Sequence, residues 1–128
     1  MNRAHGTWVL LSVMAGSIAA GSARAAAPPD EAYQLHCSGC HGPRGAGIEG
    51  FIPSLRGLAG LLDAEGGRQF LIQAPGVAQA PLGDDELANL INWLLPEIAG
   101  ASTLVPYTAS EIGALRRSPL RDPASARP

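Results

Sequence analysis

The sequence predicts an all-α domain of about four to five short helices, with one extra helix near its C-terminal end. Within residues 84–95, apolar side chains recur at the i, i+3, i+4, i+7 spacing of an amphipathic helix, and these are Leu87, Leu90, Ile91 and Leu94. Residues 108–111 carry the Ser/Thr-x-x-Glu pattern of a helix capping box. No stretch alternates between apolar and polar side chains at period two, so strands are not expected.

The first 25 residues have the layout of a secretory signal peptide. Arg3 lies in a short polar start, residues 8–20 are apolar, and residues 23–25 form a small-x-small cleavage site. We expect cleavage after Ala25 or after Ala27, followed by export. The alternative is a membrane anchor, but the apolar run is shorter than the roughly 18–20 residues of a spanning helix. After cleavage we expect one domain with no membrane span.

Charge is distributed unevenly along the exported chain. Residues 26–112 contain three arginines and ten acidic residues, a balance of −7, whereas residues 113–128 carry +3. The acidic body argues against nucleic-acid binding and favours a protein partner with a basic docking patch. The alternative is an acidic surface that serves only solubility.

A short helix is predicted directly before the two cysteines. Asp30 follows two prolines and can N-cap this helix. Tyr33 and Leu35 are candidates for its buried side. The helix would position Cys37, the first residue of the motif that follows.

Residues 37–41 read Cys-x-x-Cys-His and contain both cysteines of the chain. Two thiols at this spacing, with an imidazole directly after, suit covalent capture of haem. Each thiol can add to one vinyl group, and the histidine then meets the iron from one face. A thioredoxin-like redox pair should follow a strand, and residues 31–36 contain no β-branched run. A zinc site needs about four ligands. After export, His36 would be the only histidine or cysteine outside the motif, and because it is the direct neighbour of Cys37 the cluster could hardly surround a tetrahedral ion.

Loops and short helices fill the middle of the chain. Residues 42–50 contain four glycines. They predict a loop that lets the backbone pass close to a flat ligand, or else an ordinary flexible surface loop. Helices are expected near residues 58–64 and 68–73, where apolar side chains recur. Two prolines and a glycine make residues 74–81 a loop.

The last two helices carry clear start and stop signals. Three acidic residues begin the helix at 84–95 and suit the positive end of its dipole, and Pro96 is expected to end it. The helix after Thr108 is expected to stop at Pro119. Three regions follow from these signals: a signal peptide at 1–25, a core domain at 26–99, and a C-terminal extension at 100–128 with one helix and a disordered tail.

Taken in order, these features resemble a mono-haem class I c-type cytochrome. The resemblance covers residues 32–95, and the Cys-x-x-Cys-His motif is its most specific part. It implies a cytochrome c-like fold around one covalently bound haem c. It also implies a periplasmic location, because bacterial haem attachment takes place outside the cytoplasm.

The resemblance further implies roles for single residues. Cys37 and Cys40 would carry the thioether bonds, and His41 would be the proximal ligand of the iron. Pro53, twelve positions after His41, would accept a hydrogen bond from the second N–H of that histidine. Leu55 would line the haem pocket.

Contacts farther along the chain are implied in the same way. Trp93 and Leu94 would cross the helix that carries Tyr33. Arg68 or Arg56 could hydrogen-bond a haem propionate, or each could be a solvated arginine.

The far face of the iron departs from the family pattern. The family usually supplies a methionine from the loop before the last core helix, whereas the two methionines here are Met1 and Met14, within the predicted signal peptide. The chain has no lysine, and His36 is tied to Cys37 at the haem edge. Three outcomes stay open: a vacant or water-filled sixth position, Gln79 as a weak ligand instead of a polar loop residue, or a ligand from a partner chain.

Two classes of function follow. The favoured one is a periplasmic carrier of single electrons, for example between a dehydrogenase and an acceptor, which needs no catalytic acid or base. The other is a ligand-binding or peroxidatic haem protein, although no distal histidine is available as a base. A third option is a subunit of a larger oxidoreductase, with residues 100–121 as a docking arm or as a helix packed back on the same domain.

Overall fold

The computed structural model describes residues 26–101 and 105–122. Within these residues there are six helices: α1 (Pro29–His36), α2 (Ser38–His41), α3 (Leu58–Asp63), α4 (Gly67–Gln73), α5 (Asp84–Glu97) and α6 (Ala109–Leu115). In these two stretches there is no strand, apart from an isolated antiparallel bridge between Ile48 and Ile52. The all-α prediction is therefore confirmed. The predicted signal peptide and the end of the predicted tail, residues 123–128, lie outside the described residues.

The core forms where α1 and α6 pack against the long helix α5. The predicted apolar stripe of α5 is confirmed, since all four of its members are buried, as are two more α5 residues: Leu87, Ala88, Leu90, Ile91, Leu94 and Leu95. The expected crossing of α1 and α5 is also present. The rings of Tyr33 and Trp93 lie 5.9 Å apart between centroids and are tilted by 51°, an arrangement that aromatic pairs favour.

The boundaries of α1 and α5 differ from the predictions. Helix α1 begins at Pro29 after Pro28, so Asp30 lies in its first turn and is not the N-cap. Proline at the first helical position already has a helical φ, which starts the helix one residue early. Helix α5 continues to Glu97 because Pro96 also has a helical φ, and the N–H of Ile98 still donates to the carbonyl of Leu94.

The buried face of α1 is narrower than predicted. Ala32 and Tyr33 are buried, whereas the side chain of Leu35 is 67 % exposed. Residues two apart on a helix point in different directions. Leu35 therefore cannot share the face of Tyr33, and its predicted burial was wrong.

A close approach joins α3 to α4. Gly67, the first residue of α4, is buried against the backbone of Leu61. A Cβ atom at position 67 would collide with the carbonyl oxygen of Leu61 and lie 2.8 Å from its carbonyl carbon. A glycine is therefore required for the two short helices to turn against each other.

The C-terminal helix α6 packs back on the same domain, against α5 and α4. Tyr107 and Ile112 are buried in the same hydrophobic cluster as α1 and α5. The predicted cap is present, since the Thr108 hydroxyl accepts a hydrogen bond from the N–H of Glu111 at 3.1 Å. Of the two options for this segment, the structure contains the packed helix.

Residues 105–107 are also joined to α5 by hydrogen bonds. The Asn92 side chain accepts from the Tyr107 N–H at 2.8 Å and donates to the Tyr107 carbonyl at 2.9 Å. Asn92 thus satisfies both backbone groups of Tyr107. No helix within the described parts of the chain is long and apolar enough to cross a membrane.

Candidate functional site

The site is built on α2, a single helical turn that follows α1 with one residue between them. Cys37 occupies that junction, where its N–H donates to the Tyr33 carbonyl and its own carbonyl accepts from the N–H of His41 at 3.0 Å. Positions three apart on a helix face the same way, so Cys37 and Cys40 can present both thiols to one ligand. Both cysteines are free.

Tyr33 links the core to this turn. Its ring is fully buried, and its hydroxyl donates to the carbonyl of Gly42, directly after His41, at 2.6 Å. Burial raises the pKa of the Tyr33 hydroxyl, and the Cys37 thiol adds to that rise, so the group remains a donor. We predicted burial for Tyr33 but not this tether. A buried tyrosine hydroxyl usually finds a hydrogen-bond partner. The position of Tyr33, one helical turn before Cys37, could therefore have indicated a hydrogen bond to the turn that carries the cysteines.

The His41 ring is oriented by the backbone. Its Nδ1 lies 3.0 Å from the carbonyl oxygen of Pro53. A carbonyl can only accept, so Nδ1 carries the hydrogen in this bond, and Nε2 of the neutral ring is left with a free lone pair. This is the contact that the resemblance implied for Pro53. The tautomer is the one in which Nε2 could bind a metal.

Gly47 allows the loop to close around that carbonyl. Its N–H donates to the carbonyl of His41 at 2.9 Å, and its φ is +69°. A Cβ atom there would collide with the carbonyl oxygen of Ile52 and lie 2.7 Å from that of Pro53. The glycine-rich loop thus contains a close backbone approach, made to the chain's own carbonyls. The four glycines in the sequence predicted a loop, but they did not show that Gly47 is the one that lies against the Pro53 carbonyl.

Exposed apolar side chains lie beside this loop. An open groove of about 460 Å³ is lined by residue 46 and residues 48–54. Phe51 is 85 % exposed and Ile48 is 56 % exposed, although a two-way backbone bridge between Ile48 and Ile52 holds the turn in place. Large exposed apolar side chains grouped on one turn make this turn a candidate binding surface. Leu55 is half-buried, packs against the core, and donates its N–H to the Gly45 carbonyl at 2.8 Å.

The two alternative chemistries of the motif find little support. Across residues 26–101 and 105–122, no group of three or more histidine, cysteine, aspartate or glutamate side chains could hold a metal ion. A redox or nucleophilic cysteine needs a lowered pKa, whereas burial raises the pKa of the Cys37 thiol. The helix before Cys37 also differs from the strand that a thioredoxin-like pair would follow.

A comparison with known protein families agrees with this geometry. The family model described as Cytochrome c matches residues 26–96, more than half of the chain. The chain belongs to the cytochrome c family. It is therefore a haem-based electron carrier, and membership implies a covalently bound haem c and a redox partner. No curated protein matched the chain.

The residues of this cytochrome fit the group that the family implies. Two free thiols lie one helical turn apart, and an imidazole with an available Nε2 follows them. Exposed apolar side chains lie on the loop that contacts the imidazole. These are the donors and the surface that a covalently held, largely apolar macrocycle requires.

The structure does not bring Arg68 to this cluster. Its guanidinium forms a bidentate ion pair with Glu111 and donates to the Val105 carbonyl at 2.6 Å. It also lies 3.8 Å from the centre of the Tyr107 ring. The hydrogen bond to Glu111 is the main cause of the raised Arg68 pKa. The propionate role of Arg68 stays a prediction.

Arg56 and Gln79 are placed differently from Arg68. Arg56 belongs to the loop after Pro53, and its Nε donates to the Arg44 carbonyl at 2.9 Å. Gln79 is exposed, and its Oε1 accepts from the Gly76 N–H at 3.0 Å. The amide oxygen of Gln79 is therefore already used within its own loop.

Proposed function

We propose that this cytochrome is an exported, periplasmic, mono-haem class I electron carrier. In this proposal Cys37 and Cys40 hold the haem through thioether bonds, and His41 binds the iron through Nε2. The observation that carries it is the 3.0 Å contact between His41 Nδ1 and the Pro53 carbonyl, one helical turn from two free thiols. When bound, the haem supplies an iron that gains and loses one electron.

The surrounding chain keeps these groups in place. The Pro53 carbonyl fixes the His41 tautomer and increases the basicity of the ring. The Tyr33 hydroxyl holds the backbone after His41 against the core. The Ser38 hydroxyl donates to the Gln34 carbonyl at 2.9 Å, which joins α2 to α1. Electron transfer then requires little rearrangement of the protein.

Covalent attachment is tested by expressing the full chain in cells that attach haem to exported cytochromes. Haem staining of a denaturing gel should show a coloured band for the wild type and for Gly39→Ala, the control inside the motif, because an added methyl group at position 39 would meet nothing within 4 Å. Cys37→Ala with Cys40→Ala should abolish the band. A stained band in the double variant would contradict thioether attachment.

The N-terminus of the exported protein should be residue 26 or 28, and an uncleaved chain would contradict the predicted signal peptide.

We further propose that no methionine binds the far face of the iron. Met1 and Met14 both precede the predicted cleavage site, and the hydrogen bond from Gly76 favours a loop role for Gln79 over ligation. These observations support an open or water-filled sixth position. They also favour a second candidate function, the binding of small ligands.

The far-face proposal has a spectroscopic test. The reduced protein should be high-spin and bind CO rapidly, and Gln79→Ala should leave its spectrum unchanged. Gln69→Ala is the control, since Gln69 is an exposed glutamine on α4. A low-spin spectrum without CO binding would contradict the open position. A spectrum changed by Gln79→Ala alone would identify Gln79 as the ligand.

We propose a partner with a basic docking patch, supported by the balance of −7 over residues 26–112. Electron transfer should therefore be faster with a cationic ruthenium hexaammine oxidant or reductant than with anionic hexacyanoferrate, after correction for driving force. Added salt should slow the cationic reaction and speed the anionic one, because it screens the attraction and the repulsion. Equal salt dependence for both would contradict an acidic docking face.

Co-purification from the native host would test membership in a larger oxidoreductase.

A further inference from the structure

Arg116, at the end of α6, binds the loop that precedes α5. Its Nε donates to the Ala78 carbonyl at 3.2 Å, and its Nη2 donates to the Ala80 carbonyl at 2.6 Å. Its Nη1 donates to the Leu82 carbonyl at 2.8 Å and pairs with Asp84 Oδ1 at 3.0 Å. One side chain thus contacts four alternate positions from residue 78 to residue 84.

These contacts require a guanidinium in a nearly enclosed position. The side chain of Arg116 is 17 % exposed. Arginine carries five N–H donors in a rigid planar fork, whereas lysine has three donors on one nitrogen. A lysine could keep the pair with Asp84, but it could not bind three separated carbonyls at once.

The loop at residues 74–83 has few bonds of its own. Its internal backbone bonds are short turns, from the N–H groups of Val77 and Ala78 to the Ala74 carbonyl, and from that of Ala80 to the Val77 carbonyl. The C-terminal segment binds the residue before the loop as well, because the Leu120 N–H donates to the Gln73 carbonyl at 2.8 Å. The extension therefore holds this loop at both ends.

We propose that Arg116 is a positioning residue that fixes the loop at 74–83 and so limits the access of small ligands to the far face of the iron. The inference rests on the proposed function for one step, the place of this loop on the far face, which is taken from the resemblance to class I cytochromes, where the loop before the last core helix supplies the distal ligand. Without the Arg116 fork, three loop carbonyls lose their charged donors, and local opening of the loop becomes easier.

The test compares Arg116→Gln and Arg116→Lys with Arg117→Gln in the haem-loaded protein. Arg117 is the exposed neighbouring arginine, so its variant matches the change in charge. Hydrogen–deuterium exchange of peptides covering residues 74–83 should be about tenfold faster or more in Arg116→Gln, with peptides of α1 unchanged. The rate of CO association with the reduced protein should rise several-fold in the same variant. Arg116→Lys should give a smaller change in both, and Arg117→Gln should match the wild type.

Each readout can overturn the inference separately. Unchanged exchange in the loop would show that Arg116 does not fix it. Faster exchange with an unchanged CO rate would place the loop away from the iron, while the electron-carrier proposal would stand. A wild type without covalent haem would overturn the proposed function and this inference together. If Arg116→Gln does not fold, the intermediate behaviour expected of Arg116→Lys decides the question.

Discussion

Replacing Gly47 with alanine is expected to disturb both the stability of the fold and the orientation of His41, the proposed iron ligand. Gly47 has a φ of +69°, and a Cβ atom there would lie 2.7 Å from the Pro53 carbonyl oxygen. That oxygen accepts the bond from His41 Nδ1. Gly50→Ala is the matched control, because Gly50 has a φ of +76° but no atom within 4 Å of the position that an alanine methyl group would take.

The expected magnitudes follow from the two contributions. An alanine in the left-handed region costs about 1–2 kcal/mol, and this cost applies to both variants. Forcing a methyl group against fixed backbone adds about 1–3 kcal/mol, and this applies only to Gly47→Ala. Gly50→Ala should therefore lower the free energy of unfolding by about 1–2 kcal/mol, and Gly47→Ala by about 2–5 kcal/mol.

The same change should move the reduction potential. Displacing the Pro53 carbonyl weakens a hydrogen bond worth about 0.5–1.5 kcal/mol, which makes the imidazole a less basic ligand and disfavours the oxidised iron. The potential should rise by about 20–60 mV, as measured by voltammetry, with denaturant unfolding to report stability. Gly50→Ala should leave the potential unchanged. If the two variants shift the potential equally, or neither does, the proposed coupling between Gly47, Pro53 and His41 is wrong.

Three further predictions concern the C-terminal packing. A double-mutant cycle of Arg68→Ala and Glu111→Ala should give a coupling of about 1–2 kcal/mol, because the bidentate pair is about 30 % exposed; additive effects would contradict it. Burial raises the pKa of Tyr107 to about 12 from 10.0. The stabilisation of the fold by the neutral Tyr107 hydroxyl is therefore complete below pH 10, and it is lost as the pH rises from 10 to 12. The free energy of unfolding should fall over that window by about 1.4 kcal/mol per pH unit, and Tyr107→Phe should flatten this slope. Ile112→Ala should cost about 2–5 kcal/mol, since Ile112 is fully buried, whereas exposed Val105→Ala should change the unfolding free energy by less than about 0.5 kcal/mol.

Features that depend on local spacing could be predicted from the sequence. The stripe of α5 needs only the helical period, and the cap at Thr108 needs only four consecutive residues. The attachment motif is local in the same sense, because its chemistry depends on two thiols and one imidazole in a fixed order. The prediction that Leu35 is buried was wrong for a local reason, because helical spacing alone places Leu35 on a different face from Tyr33.

Contacts between distant segments could not be predicted in this way. Arg68 was considered for a propionate, yet its partner Glu111 lies 43 positions later. Arg116 was counted only as part of a basic tail, although it binds carbonyls 34 to 38 positions earlier. Backbone carbonyls leave no trace in residue identity, because every residue has one. The contact of His41 with Pro53 was expected only through the family resemblance.

The contact between Tyr33 and Trp93 has a consequence for the order in which the protein matures. Because synthesis runs from the N-terminus, α1 and the two cysteines are made before α5, the helix on which α1 packs. Until α5 is present, Tyr33 lacks the Trp93 ring as a packing partner, and α1 has no long helix to pack against. The two thiols are therefore made before the core can form, and we expect this interval to favour the addition of haem.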